Sequence, residues 1–192
     1  ATASNYRENY VEVPDNNEPI SVTPLYTDAG FWKVFTFRFL HGKPFTQADI
    51  DAKRREVVLP VSVARKLFAT DDVVGRRFNM DAQEYRVCGV VEDVSAATPS
   101  SVGDMWLPIT LNSWVTSDAT GKLVGSVGIY MTAPDAEDKE ALKEEVREVF
   151  RKLNLASDKY MNDLMGQPDD YWASTFRFDS CSAPDLASEL RM

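Results

Sequence analysis

Histidine and cysteine are almost missing from this 192-residue chain, which has one histidine, His41, and two cysteines, Cys88 and Cys181. A typical zinc site needs about four nitrogen or sulfur ligands, so that shortage excludes one. A histidine-based triad or dyad would have to use His41, which ends a strand pattern just before Gly42, and no serine lies in a Gly-x-Ser-x-Gly elbow. Neither cysteine has a recognisable nucleophile setting. Phosphate-cradling glycine loops of the Gly-x-x-x-x-Gly-Lys and dinucleotide types are also lacking, so a nucleotide is not bound in either familiar way. No window approaches the roughly 18 to 20 apolar residues that span a bilayer, and no charged start precedes an apolar signal core. The expected catalytic, metal-binding and cofactor-binding residues are therefore none.

Cations are the minority charge, with 21 Lys and Arg against 30 Asp and Glu, a formal net charge of -9. The resulting field repels phosphate backbones, which makes nucleic acid an unexpected partner. The one basic cluster, Lys53, Arg54 and Arg55, directly precedes an apolar run and reads as a solvated strand entrance. The acidic pairs Asp71 and Asp72, Glu92 and Asp93, and Asp169 and Asp170 lack the alternating ligands and central glycine of a calcium loop, and read as solvated turns. A hydrolase built on a carboxylate pair would need two of these acids close together in a cleft. Cys88 lies within an apolar strand pattern, where a thiol acts as a small buried hydrophobe. A Cys88 to Cys181 disulfide stays open, because sequence does not show whether the Cα atoms come within bridging distance.

What is present suits a packed fold: 44% of residues are apolar and 27% charged. Tyr10, Val11 and Val13 predict a strand, the run Pro14 to Asn17 a turn, and Ile20 to Thr23 a second strand. Phe31, Val34 and Phe35 predict a short helix within Thr27 to Phe35, with Trp32 off that face as an exposed contact. Phe37 to Leu40 reads as a strand broken at Gly42, Lys43 and Pro44. Thr46 and Asp49 have capping-box spacing for a turn of helix through about Ala52. The unbroken run Glu56 to Pro60 suits a strand buried on both faces. Ser62 is placed to cap a helix whose apolar face is Val63, Ala64, Leu67 and Phe68.

Farther on, Phe78 and Met80 begin a hairpin whose second strand alternates Tyr85, Val87, Gly89 and Val91 against Arg86, Cys88 and Val90. Met105 to Ile109 predicts a strand, with Pro108 favouring a sheet edge. Val127, Ile129 and Met131 predict another. Leu142, Val146, Val149, Phe150 and Leu153 form one helix stripe, with Asp135 as cap and Glu148 to Lys152 as a pair four apart. Phe176 to Phe178 predicts a final strand. The fold class is α+β.

The order of these pieces carries a resemblance. Gly42, Lys43, Pro44, Phe45, Thr46 and Asp49 parallel a Gly-Arg-x-Phe-Thr-x-x-Asp pattern. Val57 to Phe68 parallels a Val-Val-Leu, Ser, Ala-Arg-x-Leu-Phe block, Asp72 to Gly75 an Asp-x-x-Gly turn, Tyr85 to Val91 a Tyr-x-Val-x-Gly-Val-Val strand, and Met105 to Ile109 a closing aromatic, apolar, proline strand. Together, Val22 to Thr110 resembles the MacB-like periplasmic core domain of permeases in the MacB, lipoprotein-release and FtsX superfamily of ATP-binding cassette transporters. The chain departs from that pattern at Lys43, Ala69 and Val73, where the family often has arginine, glycine and proline.

The resemblance implies a porter-like α/β subdomain formed by the sequence ends, residues 1–35 and 112–192, and an inserted mainly β subdomain, residues 36–111. It also implies a non-enzymatic, cofactor-free periplasmic domain of a cytoplasmic (inner) membrane protein, with membrane helices beyond Ala1 and Met192 and with the two termini close together. Such a domain would transmit ATP-driven conformational change for export, lipoprotein release or signalling through protein-protein contacts. The implied partners are a second permease protomer, a cytoplasmic ATPase subunit reached through the membrane helices, and a periplasmic adaptor or lipoprotein. The alternative is a freestanding extracytoplasmic ligand- or peptide-binding module, which would show a deep apolar pocket with converging polar groups.

Overall fold

The computed structural model describes residues 9–13, 16–95, 98, 100–112 and 127–156. It divides into two compact units, Ala1–Met131 and Thr132–Met192. The first contains β1 (Asn9–Val13), β2 (Asn16–Val22), β3 (Pro24–Thr27), α1 (Phe31–Val34), β4 (Phe39–Gly42), α2 (Gln47–Asp51), β5 (Glu56–Pro60), α3 (Val61–Phe68), β6 (Arg77–Met80), β7 (Gln83–Val91) and β8 (Met105–Pro108), then a 3₁₀ turn at Ile109–Leu111. No helix among the described residues is long and apolar enough to cross a membrane.

The eight strands of the described residues form one sheet in the order β2-β1-β6-β7-β5-β8-β3, with β4 also paired to β7. β3 runs parallel to β8 and β5 parallel to β7, while the other pairs are antiparallel. The ladder crosses residue 36, because β1 pairs β6 and β3 pairs β8.

The strand order forces curvature. In a flat sheet, six interstrand steps of about 4.8 Å would separate β2 from β3 by about 29 Å. Only Thr23 joins them, and two Cα steps of about 3.8 Å cover far less. The sheet therefore curls until its two ends meet. Asp104 pins the junction: its carboxylate accepts the Thr23 N–H at 2.7 Å, and its own N–H donates to the Thr23 carbonyl at 3.1 Å.

Both faces of the central strands are buried. Val57, Leu59, Val87, Val90, Met105 and Leu107 join Val11, Phe78 and Met80 in an aliphatic-rich core that α3 covers with Ala64 and Leu67. On the other face, Val58, Val91 and Trp106 meet Leu25, Phe31, Phe45 and Ile50. Every residue of β5 and β8 is buried, as a continuous apolar run requires.

Strict alternation fails along β7. Val57 aligns with Val87 but Val58 aligns with Gly89, so Cys88 is an extra residue in the ladder. This bulge inverts the side-chain parity. Tyr85 and Val87 share a face with Val90, while Cys88 and Val91 lie on the opposite one, a pattern that simple alternation did not give.

Other expectations are corrected locally. β3 is an additional strand, so the helix after it spans only Phe31–Val34, with the Asp28 carboxylate accepting the Phe31 N–H at 2.9 Å. Ser62 is not the cap of α3: the helix starts at Val61 after Pro60, and Asp93 accepts the Ser62 N–H at 3.0 Å from thirty-one residues away. Pro108 is not on a sheet edge, since β8 lies between β5 and β3. The β5 pairing engages Trp106, so the missing N–H of Pro108 falls at the strand's end, where it does least harm. Residues 127–131 belong to no ladder among the described residues, and Val127, Ile129 and Met131 are exposed.

In the second unit, α4 (Ala136–Ala156) is an amphipathic helix. Asp135 accepts the Asp138 N–H at 2.9 Å, which satisfies one of the free donors at its start. Glu148 pairs with Arg151 through two bonds of 2.7 Å and with Lys152 at 3.6 Å. The predicted strand at Phe176 to Phe178 and the acidic pair Asp169 and Asp170 lie outside the described residues.

Candidate functional site

The turn from β4 into α2 and the bulge of β7 pack back to back. Gly42 has φ of +66°, and a Cβ there would collide with the Cys88 carbonyl oxygen. Opposite it, a Cβ on Gly89 would come within 2.8 Å of the Lys43 carbonyl oxygen. The Lys43 N–H donates to the Cys88 carbonyl at 3.1 Å. The two glycines thus let two backbones touch where side chains would hold them apart.

The rest of the motif anchors the turn. Phe45 is buried in the aromatic-rich core. Thr46 forms the full capping box with Asp49: the Thr46 N–H and hydroxyl donate to the Asp49 carboxylate at 2.8 and 2.6 Å. Those bonds, with the Arg54 charge, hold the Asp49 pKa below its ordinary value. The capping expectation for Thr46 and Asp49 is met.

Beside this turn lies an open cleft of about 680 Å³, lined by Lys43, Pro44, Asp49, Arg54, Glu56 and Arg86 among others. Arg54 pairs with Asp49 at 3.0 Å. Arg86 grips one oxygen of the buried Glu56 through Nε at 3.1 Å and Nη2 at 2.6 Å. The other Glu56 oxygen, Oε2, has no hydrogen-bond partner. The hydrogen bond to Glu56 pushes the Arg86 pKa up. Lys43 is exposed and makes no ion pair among the described residues.

This arrangement offers charge and shape but no activated nucleophile. Cys88 lines the cleft, yet burial pushes its thiol up to about 12, with the Glu56 charge adding to the effect. The thiol is free, half-buried rather than the fully buried group expected, and donates to the Val57 carbonyl at 3.3 Å; Cys181 lies outside the described residues. His41 is 3.9 Å from Asp71, which also binds Arg65 at 2.6 Å. Glu92 pairs with Arg38 at 2.8 Å. No group of three metal-ligating side chains occurs among the described residues.

Two other expectations meet different fates. Lys53 to Arg55 do form a solvated turn into β5, all exposed, with Lys53 in the left-handed region at φ 50°. Trp32 is not an exposed contact: its ring packs against Phe31, Phe37, Phe39, Phe45 and Trp106. The tertiary fold brings those aromatics around it, which the helical spacing of Phe31 and Phe35 did not disclose. The pairing of Arg86 with Glu56 was equally hidden, because thirty residues separate them.

A model of the MacB-like periplasmic core domain family matches residues 1–149. The chain belongs to that family. A curated relative of this MacB-like domain is the macrolide export ATP-binding/permease protein MacB of Shigella dysenteriae serotype 1, 25% identical over 161 residues, 83% of the chain. The match takes in only 23% of that protein's length. Solved structures agree on the fold. The extracellular domain of the noncanonic ABC-type transporter YknZ from Gram-positive bacteria superposes with TM-score 0.59 at 18% identity, covering 84% of this chain and 80% of that one. The periplasmic region of MacB from Actinobacillus actinomycetemcomitans gives 0.55 at 20% identity, covering 77% and 65%. The α+β class of this MacB-like domain is that of its structural neighbours.

Proposed function

We propose that this MacB-like domain is the extracytoplasmic part of an ATP-binding cassette transporter permease, where it transmits ATP-driven conformational change by protein-protein contact and performs no chemistry of its own. The observation that carries this reading is the single curled sheet from Asn9 to Pro108, buried on both faces at β5 and β8. A close-packed body of that kind passes on displacement with little internal deformation. Its working partners in this reading are a second permease protomer, an ATPase subunit on the other side of the membrane, and an adaptor or lipoprotein outside it. Family membership supports the setting, and the inert Cys88 thiol fits a mechanical role.

The test is made in the full-length protein in membrane vesicles. Softening the body with Leu59→Ala, a fully buried site, is expected to uncouple the machine: ATP hydrolysis continues while export or release falls. Transport that persists unchanged in a variant shown to be less rigid by hydrogen exchange would refute the mechanical role.

A further inference from the structure

The cleft beside Gly42 to Thr46 has a pronounced charge arrangement within an acidic chain. Three cations line it, Lys43, Arg54 and Arg86, against two carboxylates, Asp49 and Glu56. Both carboxylates already have arginine partners, which leaves Lys43 as the uncompensated charge. The arginine side chains are 62% and 52% exposed, so their forks remain open to a ligand while their positions are fixed. Arg86 spends Nε and Nη2 on Glu56, a grip that holds the guanidinium plane in place. Pro44, Ala48 and Val74 add an apolar rim, Val74 being 45% exposed.

Preorganisation makes this more than loose surface charge. The Lys43 backbone is clamped to the bulge by its bond to Cys88 and by the two facing glycines, and the capping box fixes α2. A ligand here pays little ordering cost in the receptor. The volume, about 680 Å³, suits a few side chains. An extended anionic surface fits less well, because the chain's net charge of -9 repels it at longer range.

We propose that this cleft is a docking site for an acidic peptide segment of a partner protein, one carboxylate side chain seated among Lys43, Arg54 and Arg86 with an adjacent aliphatic residue against Pro44 and Val74. The site rests on the permease-domain reading only in identifying the partner as an extracytoplasmic protein. Peptide binding is measured on the 192-residue chain by itself, so failure to bind leaves the transport test untouched, and failure of the transport test leaves the binding site standing.

The probe is a short fluorescein-labelled peptide alternating aspartate and leucine, followed by fluorescence anisotropy at low salt, with a lysine-leucine peptide as its charge-reversed counterpart. The expected result is saturable binding of the acidic peptide alone, weakened about tenfold by Lys43→Glu and progressively by added salt. Lys66→Glu, an exposed change of the same charge on α3, is expected to leave binding as it was. Lys43 is chosen because it is exposed and forms no ion pair among the described residues, whereas Arg86 holds the buried Glu56 and its loss would disturb the fold. Absence of saturable binding, equal binding of the lysine-leucine peptide, or equal weakening by Lys66→Glu would each overturn the proposal. So would Lys43-dependent binding to phosphatidylglycerol vesicles without peptide binding, which would make the cleft a membrane contact.

Discussion

The curled sheet and helix α4 are stabilised by different physics. In the sheet, the largest side chains are fully buried, Trp106 and Phe78 among them, and partners come from distant sequence. In α4, Val149, Leu153 and Leu155 are exposed, and ion pairs such as Lys143 with Glu140 and Arg147 with Glu144 join residues three apart. Burial of apolar area is worth far more than such pairs. The sheet is therefore built to keep its shape, whereas the described ion pairs of α4 add little to its stability.

The contrast is most severely tested at Trp106. This ring has no exposure, donates its Nε1 hydrogen to the Ser101 carbonyl at 3.1 Å, and meets Trp32 and Phe37. Trp106→Ala is expected to cost about 3–5 kcal/mol, the usual range for emptying a large aromatic site, read from urea unfolding. Gly42→Ala should come next, at about 2 kcal/mol or more, since it forces a left-handed backbone and a clash with the Cys88 carbonyl together. An alanine there without effect would mean that the turn and the bulge are not tightly apposed.

A smaller loss is expected from Asp49→Asn, about 1 kcal/mol at neutral pH from the damaged cap. The sign with pH follows from the direction of the shift. The folded Asp49 carboxyl sits below its ordinary value of 3.8, so its contribution is complete above that value and disappears as pH falls through the folded one. Acid titration of stability should thus be shallower in the asparagine variant. The smallest effect belongs to α4. Glu148 is drawn down to about 2 by its hydrogen bonds with Arg151, yet the pair is open to solvent and screened. Arg151→Ala should leave the unfolding midpoint of the sheet unchanged, and a clear decrease would show that this pair supports more than its own helix.

Local chemistry was legible in the sequence wherever it acts over a few residues. The capping box at Thr46 and Asp49, the two-sided burial of Glu56 to Pro60, and the stripe of α3 all follow from spacing alone. The hairpin was legible too, and its turn is Asp81 and Ala82, both with positive φ. Features made by distant partners were not. β3 depends on parallel pairing with a strand about eighty residues later, and the α3 donor at Ser62 is met by Asp93. The cleft was half visible: the motif located Gly42 to Thr46, while the bulge at Cys88 and the Arg86 to Glu56 pair appear only once β5 and β7 are aligned.

Whether the sheet from Asn9 to Pro108 moves as one body is read from native-state hydrogen exchange. The amides of β1, β6, β7, β5 and β8 are expected to open together, with one free energy equal to that of global unfolding, while α4 amides exchange through smaller openings. Separate opening of β1, β2 and β6, with β5 and β8 still protected, would contradict motion as one body.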